Sequence, residues 1–180
     1  MAAANEPDVF NGEGVHIREA TPDDAVALLA LKRTLDRETK FMLLEPDERT
    51  TTEAEVVDQL RRVTARANSV ILVADAAGHL VGYVEAIGGG VRRNQHAAHV
   101  VIGVRKASAG RGLGRRLLAG LEQWARANGL SRLELTVMTH NDRAIRLYSK
   151  MGYVVEGTRH AALLVDDHLV DELWMAKLLE

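Results

Sequence analysis

The apolar run Val100-Val101-Ile102-Gly103-Val104 is followed within six residues by Gly110-Arg111-Gly112-Leu113-Gly114. That turn opens into Leu113, Leu117, Leu118, Leu121 and Trp124 at helical spacing. Strand, tight turn and helix in succession require a sheet with a helix laid on it, because the helix's apolar stripe must be buried against the strands beside it. The rest of the chain keeps to this plan. Val15 and Ile17 alternate with His16 and Arg18 as a strand, and Thr21-Pro22-Asp23-Asp24 starts a helix with Thr21 as cap and Pro22 in its first position. The apolar face of that helix reads as Val26, Leu28, Leu29, Leu31 and Leu35, and residues 38–51 read as a loop. Residues 52–67 read as a second helix with Val56, Val57, Leu60 and Val63 inward. Residues 70–74 and 80–86 form a hairpin around Ala76-Ala77-Gly78-His79, and Gly88-Gly89-Gly90 leads to a strand over residues 96–104. Further on come a strand at 133–137, a helix at 141–150 ended by Gly152, and strands at 153–157 and 168–177. The pattern predicts a sheet covered by helices, not a bundle or a sandwich.

With 180 residues, 47% hydrophobic and 27% charged, the chain has the size and composition of one folded domain. Residues 1–14 carry Glu6 and Asp8 where a secretory signal needs basic residues and an apolar run, so they read as a tail ahead of a domain spanning 15–180. No segment approaches the roughly 20 apolar residues of a membrane span, and the expected location is cytoplasmic, with no membrane partner. The 23 basic and 25 acidic side chains give a formal charge of −2, which argues against a nucleic-acid partner. The absence of cysteine removes thiolate catalysis, disulfides and cysteine-ligated metal. His96 and His99, three apart on a strand, point to opposite faces, so no metal site is expected.

The glycine turn has a chemistry of its own. Glycines let the backbone approach a ligand closely, and the unpaired amides of a helix's first turn present a positive dipole end to an anion. Arg105, Lys106, Arg111, Arg115 and Arg116 crowd the same stretch without an acid among them, a field that favours a polyphosphate. The spacing excludes the phosphate loop of nucleotide triphosphatases, and Arg115 stands where a dinucleotide fingerprint needs glycine. A coenzyme A pyrophosphate site and the Gly-x-Gly-x-Gly of a methyltransferase both remain.

Ala109-Gly110-Arg111-Gly112-Leu113-Gly114, after Ile102-Gly103-Val104, resembles the main motif of the GNAT superfamily of acetyl-CoA-dependent N-acetyltransferases, Gln/Arg-x-x-Gly-x-Gly/Ala. Ala109 departs from the usual Gln or Arg, and Arg111 or Arg115 can supply the missing contact. A second segment, from Asn141 through Ala144, Leu147 and Tyr148 to Gly152 and Tyr153, matches that family's Asn-x-x-Ala-x-x-Leu-Tyr-x-x-x-Gly-Phe/Tyr signature. Helical spacing sets Asn141, Ala144 or Ile145, and Tyr148 on one face. Read alone, Asn141 is a helix N-cap and Tyr148 a core tyrosine. The resemblance covers about residues 70–179. Glu156-Gly157-Thr158, Val170-Asp171-Glu172 and Met175 look closest to bacterial members acting on amino acids or other small amines.

The resemblance implies a mixed α-β (α+β) fold, the acyl-CoA N-acyltransferase fold, with a central mixed sheet flanked by helices. It implies acetyl-CoA as cosubstrate, a small-molecule or peptide amine as acceptor, direct attack on the thioester, and a homodimer as a common assembly. The CoA-binding residues it implies are Ile102, Gly103, Val104, Ala109, Gly110, Arg111, Gly112, Leu113, Gly114, Arg115, Asn141 and Tyr148. By the same resemblance, the amide of Ile102 or Val104 polarises the carbonyl. Tyr148, a phenol protonated at neutral pH, donates to the departing thiolate. Glu85 is the first candidate for the base, with His96, His99 or an ordered water as others, and the acidic loop residues Glu45, Asp47 and Glu48 could attract a cationic amine. Two alternatives stand beside this reading. One is an S-adenosylmethionine methyltransferase, which the late position of the glycine turn disfavours, and the other is a non-catalytic domain that senses acyl-CoA.

Overall fold

A computed structural model describes residues 14–180; of the expected tail, all but Gly14 lies outside the described residues. Its strands are β1 (Val15–Glu19), β2 (Val70–Ala76), β3 (His79–Gly88), β4 (Ala97–Val104), β5 (Arg132–Met138), β6 (Val154–Val165) and β7 (His168–Leu178). Its α-helices are α1 (Ala25–Glu38), α2 (Glu53–Thr64), α3 (Leu113–Ala127) and α4 (Asp142–Lys150). The strands join in one sheet in the order β1-β2-β3-β4-β5-β7-β6. All pairings are antiparallel except β4 with β5.

β2 is apolar from Val70 to Ala74 because both faces of the sheet are covered there. Along β2, Val70, Leu72 and Ala74 face the core made with α3 and α4, while Ile71 and Val73 face the one made with α1 and α2. Leu28, Leu29, Leu31 and Leu35 of α1 and Val56, Leu60 and Val63 of α2 are buried against that second face. Val26, expected on the inward stripe of α1, is instead 59% exposed. The β2–β3 hairpin closes through Ala77 and Gly78, both at positive φ, the two-residue turn whose twist suits antiparallel strands. Among the described residues no helix is long and apolar enough to cross a membrane.

Two features of the sheet prepare the site. β4 and β5 pair only at Ala97↔Arg132, Ala98↔Leu133 and His99↔Glu134. Beyond that, β4 stays on β3 as far as Val104 and β5 stays on β7 as far as Met138, so the sheet splits between them. Arg105 donates its N–H to the Val81 carbonyl on the β3 side, and strand alternation then turns the backbone of Gly103 and Val101 the same way. The amides of Ile102 and Val104 consequently point into the split. The second feature is the length of β6. It continues eight residues past Gly157, where the sequence pattern ends, as an exposed edge strand whose register is interrupted between Arg159 and Leu163.

Candidate active site

A cleft of about 880 Å³ runs through the split between β4 and β5. The α3 and α4 side of the sheet contributes the glycine turn, Asn141, Leu147 and Tyr148. His99, Val101, Thr136, Glu172 and Trp174 contribute from the strands, and Phe41, Met42 and Leu43 of the α1–α2 loop close over them.

Gly110 and Gly112 sit at φ 82° and 79°, left-handed conformations that turn the chain from β4 into α3. The first bond of α3 runs from the Arg116 N–H to the Gly112 carbonyl at 3.1 Å. The amides of Leu113, Gly114 and Arg115 therefore have no partner within the helix, and all three residues line the cleft. Gly114 is small for a different reason: Leu147 of α4 stands against it. The Ala109 amide is engaged by the Lys106 carbonyl at 3.2 Å, so Ala109 brings only its methyl and carbonyl to the cleft wall. Lys106, Arg115 and Arg143 add positive charge, with a guanidinium nitrogen of Arg143 3.9 Å from where a Cβ on Gly110 would lie. Glu38, the acid at this end, receives Arg105 Nε at 2.9 Å and the Lys106 amide at 2.7 Å, tying the end of α1 to the turn.

Asn141 caps α4, its side-chain oxygen accepting from the Ala144 N–H at 3.2 Å, and it also lines the cleft. It is both the plain cap and a wall residue. Two helical turns on, Tyr148 is 7% exposed and packs its ring against Tyr153, with ring centres 5.9 Å apart. Among the described residues its hydroxyl has no hydrogen-bond partner, and it is not sealed from the cleft. Burial pushes this phenol up to about 12, which keeps its proton in place at neutral and moderately alkaline pH.

The cleft thus gathers Ile102, Gly103, Val104, Ala109, Gly110, Gly112, Leu113, Gly114, Arg115, Asn141 and Tyr148, each a residue the motifs single out. Three expected residues stand elsewhere, and His96, unlike His99, is one of them. Arg111 is outside the cleft wall, and Glu85 faces α1 and α2, where Lys32 Nζ donates to its Oε2 at 3.0 Å and Gln59 reaches both oxygens. Of the α1–α2 loop, the apolar residues line the cleft and the acids Glu45, Asp47 and Glu48 do not. Sequence reasoning missed Arg143, Arg159, Glu172 and Trp174. Arg143 occupies a variable position of the second motif, and the other three reach the cleft only through the pairing of β6, β7 and β5. Among the described residues no group of three or more His, Asp or Glu is placed to hold a metal ion.

Fold and cleft together define a protein of the acyl-CoA N-acyltransferase type. The chain belongs to the acetyltransferase (GNAT) family, whose model matches residues 32–153. It is 31% identical to the L-amino acid N-acetyltransferase AaaT of Escherichia coli over 120 residues, 64% of this chain and 72% of that protein. In three curated relatives it matches, the aligned part spans 36%, 68% and 72% of their length. Among solved structures, a GNAT-family acetyltransferase of Streptococcus pneumoniae is 33% identical with a TM-score of 0.89, covering 92% of this chain and 99% of that one. The yncA protein of Salmonella typhimurium, solved with its cofactor acetyl-CoA, shares the fold at 21% identity and a TM-score of 0.82, covering 92% and 94%.

Proposed function

We propose that residues 15–180 form a domain that transfers the acetyl group of acetyl-CoA to a primary amine of a small molecule or peptide by direct attack on the thioester. The observation that carries this reading is the coincidence, on one cleft, of an amide cradle at the start of α3, the split between β4 and β5, and a protonated phenol that no group among the described residues engages. The donor fits the chemistry of the wall. Free amides of Leu113, Gly114 and Arg115, with the charges of Lys106, Arg115 and Arg143, suit a diphosphate, and the apolar gap suits an extended arm. When bound, acetyl-CoA supplies an acyl group already activated as a thioester.

The chain's own groups then have defined tasks. The Ile102 and Val104 amides, aimed into the split, donate to the carbonyl oxygen as negative charge grows on it. Asn141 orients the arm from the cap of α4. Tyr148 gives its hydroxyl proton to the departing sulfur, a task a carboxylate would perform poorly because it is ionised at neutral pH, and the proton shed by the newly acylated nitrogen restores the phenol. No covalent enzyme intermediate is needed, consistent with a chain that has no cysteine. The family match displaces the methyltransferase alternative.

Titration calorimetry with acetyl-CoA, together with a CoA-release assay over amino acids, polyamines, aminoglycosides and peptide N-termini, tests the proposal. Acetyl-CoA is expected to bind, with affinity falling about ten-fold in Arg143→Ala and Arg115→Ala and falling as salt rises. Arg111→Ala is expected to change it less. Binding without turnover on any amine would favour the sensor alternative, and absence of binding would end both.

A further inference from the structure

The cleft has an ion pair on the sheet face opposite α3 and α4, because Leu173 and Met175 of β7 pack into the core on the helix side and Glu172 alternates with them. Glu172 of β7 is 7% exposed, and its Oε2 accepts from Arg159 Nη1 of β6 at 2.7 Å. Among the described residues no other side chain or amide donates to this carboxylate, and it is not sealed off. A carboxylate has about four acceptor positions. One guanidinium contact on a largely desolvated carboxylate is poor compensation for structure alone, yet it leaves acceptor capacity open on a cleft wall. The other acid of the wall, Glu38, is already engaged at the glycine turn.

The edge strand is shaped to hold this pair at the cleft. Arg159 is opposite Glu172 and Leu163 opposite Val170, so four steps along β6 match two along β7. The two extra residues form a bulge with Ala161 at φ 48°, a left-handed conformation that only outside support maintains in a non-glycine residue. Asp171 gives that support: its Oδ1 accepts from the Ala161 N–H at 2.8 Å and its Oδ2 meets His160 Nδ1 at 2.9 Å. The bulge draws Leu163 two residues toward Arg159 and makes it part of the wall. Phe41, Met42 and Trp174 complete an apolar surround.

We propose that Arg159 and Glu172 anchor the acceptor, which is an amine bearing a nearby carboxylate and an apolar substituent. Its ammonium docks on the open oxygen of Glu172 and gives up one proton there, which passes to solvent beside the half-exposed Arg159, so that the nitrogen attacks as the neutral amine, and its carboxylate binds Arg159. Two ion pairs then close into a ring of alternating charge with no surplus in the cleft. An amine lacking the carboxylate would compete with Arg159 for Glu172 and leave a guanidinium uncompensated, which gives the site its selectivity. This inference rests on the acetyl-transfer reading and names the acceptor of that same site.

The test uses L-leucine, L-methionine and L-phenylalanine, each beside its amide and its decarboxylated amine, with kcat/KM read by CoA release. Each amino acid is expected to exceed its amide and amine at least about ten-fold. Arg159→Gln, a change at a half-exposed residue, is expected to collapse that ratio through the KM of the amino acid, and Glu172→Gln to raise KM for all three forms. The same series is read by calorimetry in the presence of CoA, so that a result exists without turnover. Equal kcat/KM for amino acid and amine, an unchanged ratio in Arg159→Gln, or no binding of any of the three amino acids overturns the inference. Failure of acetyl-CoA itself to bind overturns the underlying reading instead.

Discussion

Leu147 Cδ2 lies 3.0 Å from the point where a Cβ on Gly114 would stand. The contact joins the first turn of α3 to α4, so two motifs whose touching residues are 33 positions apart in sequence meet through a missing methyl. Gly112, two residues earlier, has open space around it but sits at φ 79°. The two glycines should answer differently to alanine. Gly112→Ala is expected to cost about 1–2 kcal/mol in urea unfolding, the penalty of a left-handed alanine. Gly114→Ala should cost less than about 1 kcal/mol because the end of Leu147 can turn aside, whereas Gly114→Val should cost more by displacing α4. Equal costs for the two alanine variants would mean that backbone conformation does not govern this turn.

Replacing Tyr148 removes one atom from the cleft wall and leaves the ring contact with Tyr153. Tyr148→Phe is therefore expected to lower kcat about 100-fold while acetyl-CoA Kd stays within two-fold. Burial raises the phenol to about 12, so its proton is retained as pH climbs past the ordinary tyrosine range and is lost only beyond that value. The wild-type kcat profile should show no alkaline decline assignable to this hydroxyl below about pH 11. Undiminished turnover in Tyr148→Phe would remove the acid from the mechanism.

The sequence exposes what is local. Apolar runs such as Val70 to Ala74 announce strands buried on both faces, and the glycine turn, by its spacing, and the Asn141 to Tyr153 segment, by its resemblance to a family signature, pick out residues that line one cleft. What stays hidden depends on pairing or facing. The second half of β6 is obscured because its bulge breaks the two-residue period and its side chains are exposed, so neither signal of a strand survives. Arg159, Glu172 and Trp174 enter the cleft by cross-strand register, which no local pattern encodes. Glu85 shows the limit most directly. It shares a sheet face with the cleft residue Val101, its partner on β4, but α1 lies over it. Val26 is the converse case, apolar and exposed at the start of α1.

Lys32 and Glu85 form a pair in which both side chains are largely buried, 10% and 15% exposed, with the ammonium 5.0 Å above the centre of the Tyr83 ring. Removing one member strands the other's charge under α1. Glu85→Ala and Lys32→Met are each expected to destabilise the fold by about 3 kcal/mol, and the double variant by less than the sum, as a double-mutant cycle in urea will measure. A fall in kcat for Glu85→Gln with unchanged stability would instead return the proton-accepting role to this residue.

Arg18 on β1 ties three segments together. Its guanidinium donates to both oxygens of Asp24, at 2.8 and 2.7 Å, and to Asp75 Oδ2 on β2 at 2.9 Å. The Arg18 contact, helped by the Thr21 amide and hydroxyl, holds the Asp24 carboxyl down at about 2 despite its burial. A carboxyl depressed in the folded state adds stability that is complete above its unfolded value, near 4, and disappears as pH falls through the folded value. The contribution is of order 1–2 kcal/mol, reduced by the partial exposure of Arg18. Thermal unfolding of the wild type should therefore lose several degrees of Tm between about pH 4 and pH 2 beyond what Asp24→Asn loses over the same interval. Parallel Tm curves for the two proteins across that window would show that Asp24 is not linked to folding, and that β1 is held to the sheet by its backbone ladder alone.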